Sequence, residues 1–374
     1  MKNIIEITDD LEKQIVIGKK IFEKFPEQYS DKRMISLMDD IQRIMGDVSK
    51  EKKWDMFYNS VYNYWVYGNN LRENFFYKFF EMKHEQKKRY ITFRNRFLIY
   101  NILNDKQSEI IFKKKYETYK KYEDYYGRDV IEISSEADYY KFKRFISNNQ
   151  TFFVKPESLG LGIGVHRENL CNYASERELF DKLLLERYIS KNESWAIGNS
   201  VVLEEEIKQV EEMAEIHPYS VNIIRISTVV QKNGDVDFVD AWFRVGINKS
   251  EIAAASNGEI YSGVNLDTGI VETNGYTEFG DVFVTHPDTK IDFVGYKIPK
   301  WNELLNIVNE LALRVPEVRY VGWDMALTRN GWVIVEGNEN GEFLGQLVYN
   351  KPYGDYIRKF VDIDLNKCFW WENS

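Results

Sequence analysis

Val321 to Asn338 read VGWDMALTRNGWVIVEGN, two β-rich runs around the turn residues Arg329-Asn330-Gly331. A three-residue turn predicts that Thr328 faces Trp332 and Asp324 faces Glu336. Alternation along each strand then places Asp324, Glu336 and Asn338 on one face. The other face carries Val321, Trp323, Met325, Leu327, Val333 and Val335, an apolar surface fit for a core. Two directly opposed carboxylates repel unless positive charge sits between them. Two acids and an amide are hard oxygen donors of the kind that hold Mg²⁺ shared with substrate phosphates. The plainer alternative is a solvent face with an accidental acid pair.

Working outward, the chain from about 218 is a train of strands: VNIIRISTVV, VDFVDAWFRVGI, EIYSGVNLD and GIVETNGY, parted by turns such as Lys232-Asn233-Gly234-Asp235. One amphipathic helix interrupts at 301–315, with Leu304, Leu305, Ile307, Val308, Leu311 and Ala312 inward and Pro316 as its stop. The first hundred residues read as helical. Segment 30–46 starts at a possible N-cap, Ser30, and ends at Gly46, with Met34, Leu37, Met38, Ile41, Ile44 and Met45 at helical spacing. Segment 71–82 repeats the pattern through Leu71, Phe75, Phe76, Phe79 and Met82. Helices first and antiparallel strands later predict an α+β fold.

Between these regions lies Val154–Val165, VKPESLGLGIGV. A strand ends in Lys155 and runs into a loop with glycine at alternate positions, Gly160, Gly162 and Gly164. Such glycines let backbone N–H groups approach phosphate oxygens, and the lysine adds a point charge; a mere turn is the other reading. The lysine precedes the glycines, so this is not a Walker A loop, and the glycine spacing is wrong for a dinucleotide fingerprint. Next comes VVLEEEI, with Glu204, Glu205 and Glu206 before Ile207, readable also as a strand ending at the surface. Asn222 and Arg225 share one strand and Arg244 lies on the next. A buried strand arginine needs an anion, either a structural carboxylate or a substrate phosphate.

The 374 residues suffice for two or three domains, and 15% aromatics allow a large core. Cys171 and Cys368, far apart in a long chain, suggest reduced thiols. No apolar stretch approaches a membrane span, and the acidic N-terminus lacks a signal-peptide pattern, so a cytoplasmic protein is expected. Residues 1–130 hold 26 basic against 21 acidic side chains and the remainder 24 against 38. The basic excess is either a solvated helix face or a surface for a nucleotide, a pyrophosphate-linked glycan or a membrane. No nucleic-acid motif accompanies it. The four histidines lack metal-ligand spacing and no nucleophile elbow occurs, which removes zinc and serine-hydrolase chemistry.

In combination these elements resemble the ATP-grasp superfamily, and within it the sugar-transfer-associated ATP-grasp family. The likeness rests on HPYSVNIIRIST, WFRVG, SNGEIYSGVNLDTG, the His286-Pro287 turn, KIPKW and the Val321–Asn338 hairpin, and spans roughly 55–350. It implies a helical region at 1–104, a small lid subdomain at 105–203 with the glycine loop, and a large subdomain at 204–374 with the metal site. Lys106 and Lys155 would hold ATP phosphates beneath Gly160, Gly162 and Gly164. Glu204 would sit by the adenine amino group, backbone groups of Glu205 and Ile207 would read the base edge, and Glu211 would meet the ribose. Asp324, Glu336 and Asn338 would bind one or two Mg²⁺. Arg225 and Arg244, with Asn222 beside them, would stabilise the transferring phosphoryl group and the acyl phosphate.

The activity so implied is ATP- and Mg²⁺-dependent joining of an amino acid or similar acid to an amino sugar or small amine in surface-polysaccharide synthesis. Phosphotransfer without ligation, or a non-catalytic nucleotide-binding scaffold, are the alternatives. A glycosyltransferase or lipid-linked glycan would be the partner, at the inner membrane face. Two departures stand out. No basic residue follows Glu336-Gly337-Asn338, and a helical region replaces the N-terminal domain that usually helps to form the acceptor site.

Overall fold

The computed structural model describes residues 5–160, 162–188, 197–249 and 258–361, the side chains of 31–33 excepted. Cys171 is exposed and unbridged, and Cys368 lies outside the described residues. Two compact units form: Met1–Leu103 with Tyr276–Val282 and Glu342–Ser374, and Asn104–Gly275 with Phe283–Gly341.

The longer helices of the first unit are Leu11–Lys24, Asp31–Met45, Lys50–Tyr67 and Phe93–Leu103. Local signals set their ends. Asp10 Oδ1 accepts from the backbone N–H groups of Glu12 and Lys13, and Gly46 and Gly68 follow their helices with φ of 67° and 78°. The expected stripe over 71–82 is not one helix. An α-helix covers Leu71–Phe76, Lys78 turns left-handed at φ 52°, and a single 3₁₀ turn follows at Phe79–Glu81. Tyr77 and Phe79 both pack on Tyr90, with centroids 4.8 and 5.7 Å away. Residues two apart on a helix point in nearly opposite directions, so the helix has to break for both rings to bury together.

The strands form two antiparallel sheets. The smaller contains β1 (Val130–Ile133), β2 (Thr151–Pro156), β3 (His166–Asn169) and β4 (Val201–Glu205) in the order β1-β4-β2-β3. Along β2, Phe152 and Val154 enter a core with Phe142, Phe145, Phe180 and Leu183 from two covering helices, while Phe153 and Lys155 face the other way. The larger sheet contains β5 (Ile223–Val230), β6 (Val236–Val245), β7 (Ile260–Gly263), β8 (Gly275–Tyr276), β9 (Val282–Phe283), β10 (Tyr320–Thr328) and β11 (Gly331–Asn338). Its order is β11-β10-β5-β6-β7-β8-β9. Helix Trp301–Leu313 lays Leu304, Val308 and Leu311 on the core of this sheet, ending one residue before Arg314 and three before Pro316. The α+β architecture is therefore as expected, with long β5, β6, β10 and β11; GIVETNGY contributes only isolated bridges and the short β8.

The β10–β11 turn differs from expectation. Thr328 pairs with Gly331, not Trp332, so only Arg329 and Asn330 form the loop, and Gly331 takes φ 116°. The shorter turn puts Trp332 and Ile334, rather than Val333 and Val335, into the core beside Leu327 and Met325. Uncorrected, that register would leave Asp324 opposite Val335. A bulge between Asp324 and Met325 takes up one residue on β11, and Asp324 faces Glu336 after all. Among the described residues no helix is long and apolar enough to cross a membrane.

Glu73 gives the first unit a pH dependence. Its Oε2 accepts the N–H groups of Asn70 and Phe93, each at 2.9 Å, in a buried site. Burial pushes its carboxyl up to about 7, although these N–H donors and Arg96 oppose the rise. A folded-state pKa above the ordinary value means that stability is lost as pH climbs from about 4.5 through 7. Glu73→Gln keeps an acceptor without the charge. It should be more stable than wild type at pH 8, on the order of 1–3 kcal/mol, with the gap closing toward pH 5. Thermal unfolding at both pH values tests this, and an equal difference at both would remove Glu73 as the source.

Candidate functional site

Strand alternation brings the charged residues to one cavity in the second unit. From the small sheet come Lys155 and Glu204, with Gly160 and Gly162 of the loop joining β2 to β3. From the large sheet come Arg244, Asp324 and Glu336. Phe153, Ile207, Val221 and Ile223 make its apolar wall, and Glu205 stands at its edge. A second cavity adjoins it through the shared residues Lys115, Leu159, Gly160 and Glu336, and is further lined by Lys113, Ser158, Asn338 and Glu339.

Glu204 is buried yet ionised. Its Oε2 takes Lys155 Nζ at 2.9 Å and Arg128 Nη2 at 2.6 Å. Burial alone would raise its carboxyl, but the Lys155 and Arg128 charges override that and hold it at about 2. Asp324 is likewise buried and compensated. Arg225 grips both its oxygens, through Nε and through Nη2, the latter at 2.9 Å, and Arg244 Nη1 approaches at 3.4 Å. Arg244 is held from its other side by Glu259, at 2.8 Å through Nε and 2.6 Å through Nη2, and Tyr261 donates its hydroxyl to Glu259 at 2.9 Å. Burial disfavours both guanidinium charges, but Asp324 for Arg225 and Glu259 and Asp324 for Arg244 lift them above the ordinary range. Structural carboxylates thus supply the anions that these strand arginines need.

Glu336 is about one-third exposed, with Lys115 Nζ 3.5 Å from its Oε1. Asn338 directs Nδ2 toward the Gly322 carbonyl at 3.5 Å, which leaves Oδ1 as the end turned from it. Gly162 and Gly164 have φ of 71° and 72°, and turns close from Ile163 to Gly160 and from Val165 to Gly162. Glycine suits these positive angles because a Cβ would strain them.

Five singled-out residues stand outside both cavity linings: Lys106, Glu211, Asn222, Arg225 and Gly164. Lys106 is largely exposed and pairs with Glu109 at 3.6 Å. Glu211 is exposed at the start of a short helix, Glu211–Ala214. Asn222 is buried between Val221 and Ile223 and points away from the cavity they line, its Nδ2 donating to the carbonyls of Met213 and His217. Arg225 stands behind Asp324, so Arg244 is the arginine that reaches the cavity. The structure adds Lys115, whose Nζ donates to the Leu159 carbonyl at 2.5 Å, together with Arg128 and Glu259. Lys115 hides in the basic run Lys113-Lys114-Lys115, where no spacing marks one lysine above another.

Residues 85–357 match the family model described as sugar-transfer associated ATP-grasp. The chain belongs to that family. Solved structures similar to this ATP-grasp protein include D-alanyl-alanine synthetase A from Vibrio cholerae, at 12% identity over 65% of this chain and 66% of that one, TM-score 0.38. D-alanine-D-alanine ligase from Coxiella burnetii matches at 11% identity, over 72% and 62%, TM-score 0.41. N5-carboxyaminoimidazole synthetase from Staphylococcus aureus matches at 11%, over 69% and 54%, TM-score 0.43. This chain thus spans at most 66% of each of those chains. At such identities and TM-scores the likeness assigns no activity. A comparison with curated protein sequences finds no match.

Placement makes the lysines separable by experiment. Lys115→Ala and Lys155→Ala should each weaken MgATP binding by on the order of 1–3 kcal/mol, through loss of a charge-assisted contact. Lys106→Ala should leave it within about twofold, as expected of an exposed ion pair. Titration calorimetry on the three variants gives the comparison, and a large effect confined to Lys106 would reverse the assignment.

Proposed function

We propose that this ATP-grasp protein is an ATP- and Mg²⁺-dependent carboxylate–amine ligase. The observation that carries the reading is the convergence of Lys155, Lys115, Arg244, Asp324 and Glu336 under a glycine loop, beside a second cavity that shares Lys115 and Glu336. One cavity suits a triphosphate, and the other gives a second substrate access to its γ end.

The donor set fits Mg²⁺. Asp324, Glu336 and Asn338 offer hard oxygens; a carboxylate oxygen has lone pairs beyond those the arginines take, and Glu336 opens onto both cavities. One or two Mg²⁺ held there would neutralise charge on the β- and γ-phosphates. Lys155 and Lys115 bind phosphate oxygens, and the loop with Gly160, Gly162 and Gly164 excludes water. Glu204 Oε1, which carries none of the lysine and arginine bonds, serves the adenine amino group, with Glu205 and Ile207 along the base edge.

A carboxylate oxygen of the acid attacks the γ-phosphorus, ADP leaves, and an acyl phosphate forms. The amine nitrogen then attacks the acyl carbon and loses a proton, phosphate leaves, and a C–N bond results. Arg244 faces the charge that builds on the transferring group. The family description names an association with sugar transfer, and we extend the proposal to an acid joined to an amino sugar or small amine in surface-polysaccharide synthesis, at the cytoplasmic face of the membrane and beside a glycosyltransferase or lipid-linked glycan.

Two measurements test the proposal. MgATP should bind more tightly than ATP alone, and Asp324→Asn should weaken the Mg²⁺-dependent part. With a panel of acids and amines, ADP release should require both substrates, and Glu336→Gln should lower turnover by at least about 100-fold with the fold intact. Unchanged turnover in Glu336→Gln would sink the metal assignment. A phosphorylated product that accumulates without any amine would turn the reading to phosphotransfer.

A further inference from the structure

Arg128 lies between Tyr126 and β1, with its side chain only 3% exposed. A guanidinium carries its donors in a rigid planar fork, and here the two edges serve different sheets. Nε and Nη2 donate to Glu204 Oε2 at 3.0 and 2.6 Å, on β4 of the small sheet. Nη1 donates to the Ile334 carbonyl at 2.6 Å, on β11 of the large sheet, and to the Tyr126 carbonyl at 3.1 Å. The Tyr126 ring packs against the guanidinium, its centroid 4.5 Å from Cζ. Lys155 Nζ meets the same Glu204 oxygen at 2.9 Å and is the member of the trio that lines the cavity together with Glu204.

We infer that Arg128 is a positioning residue that neutralises Glu204 from behind, so that the charge of Lys155 is left for an anion in the cavity. The inference rests on the nucleotide reading above. Two cations share one carboxylate, and the cluster keeps one net positive charge. Without Arg128, Lys155 and Glu204 are a neutral pair, and the lysine must give up its closest partner to meet a phosphate. Because the same side chain also ties β4 to β11, Glu204 and Lys155 are held at a set distance from Asp324 and Glu336 across the cleft.

Charge and span separate in two variants of the full chain, with MgATP as the probe. Arg128→Gln keeps N–H donors but not the charge, and its dissociation constant should rise at least about tenfold. Arg128→Lys keeps the charge and should stay within about threefold of wild type. Combined with Glu204→Gln, the Arg128→Gln change should add little, since no carboxylate remains to capture Lys155. Melting temperatures without nucleotide distinguish this pattern from general damage, which the second substitution would not relieve. Wild-type affinity in Arg128→Gln, or an equal loss in Arg128→Lys, overturns the inference alone. A wild-type chain with no MgATP affinity overturns the nucleotide reading and this inference with it.

Discussion

An ionised carboxylate in the middle of a sheet is tolerated only when charges of opposite sign reach it, and Asp324, 2% exposed on β10, is the group around which this site is arranged. Arg225 on β5 is its direct cross-strand neighbour and takes both its oxygens; Arg244 on β6 reaches it from the next strand, and Glu259 holds Arg244 in turn. The result is a chain of contacts that alternates in sign, Arg225 to Asp324 to Arg244 to Glu259, with Glu336 opposite Asp324 and open to the cavities. A bidentate arginine on Asp324 offsets the repulsion that two facing acids would otherwise exert on the hairpin.

The small sheet repeats the device. Glu204 is buried with two cations of its own, and its carboxyl stays ionised far below neutral pH. Each sheet therefore presents to the cleft a charge set up by a buried ion pair behind it. Side chains fixed in this way lose little freedom when a ligand arrives, which is the physical content of preorganisation. The glycine loop between β2 and β3 is the opposite case, with glycine at 160, 162 and 164 and left-handed backbone at the last two.

The hairpin shows how far local pattern reaches. The facing of Asp324 and Glu336 follows from alternation, but by a route the residues do not announce. A two-residue turn and a compensating bulge give the same pairing as a three-residue turn would, while exchanging Val333 and Val335 for Trp332 and Ile334 in the core. Turn residues such as Arg-Asn-Gly are compatible with either loop length, and only the demand that two large side chains bury against Met325 and Leu327 separates them. Likewise the aromatic stripe at 71–82 marks a buried segment but not its break at Lys78, which depends on Tyr90 elsewhere in the chain.

By itself the sequence determined the α+β class, the helical first hundred residues, the glycine loop after Lys155 and the acid pair of the last hairpin. All of these are carried by periodicity, turn chemistry or residue type within a few positions of one another. Only the tertiary structure decided which lysine enters the cleft and which anions the arginines find. Lys106 and Lys115 are alike as residues; the second reaches Leu159 and Glu336 because a helix starts there, and the first points to solvent beside Glu109. Arg128 meets Glu204 across 76 positions and Ile334 across 206. Charges act through space and along no period, so a site built from long-range ion pairs is written in the fold rather than in the spacing of its residues.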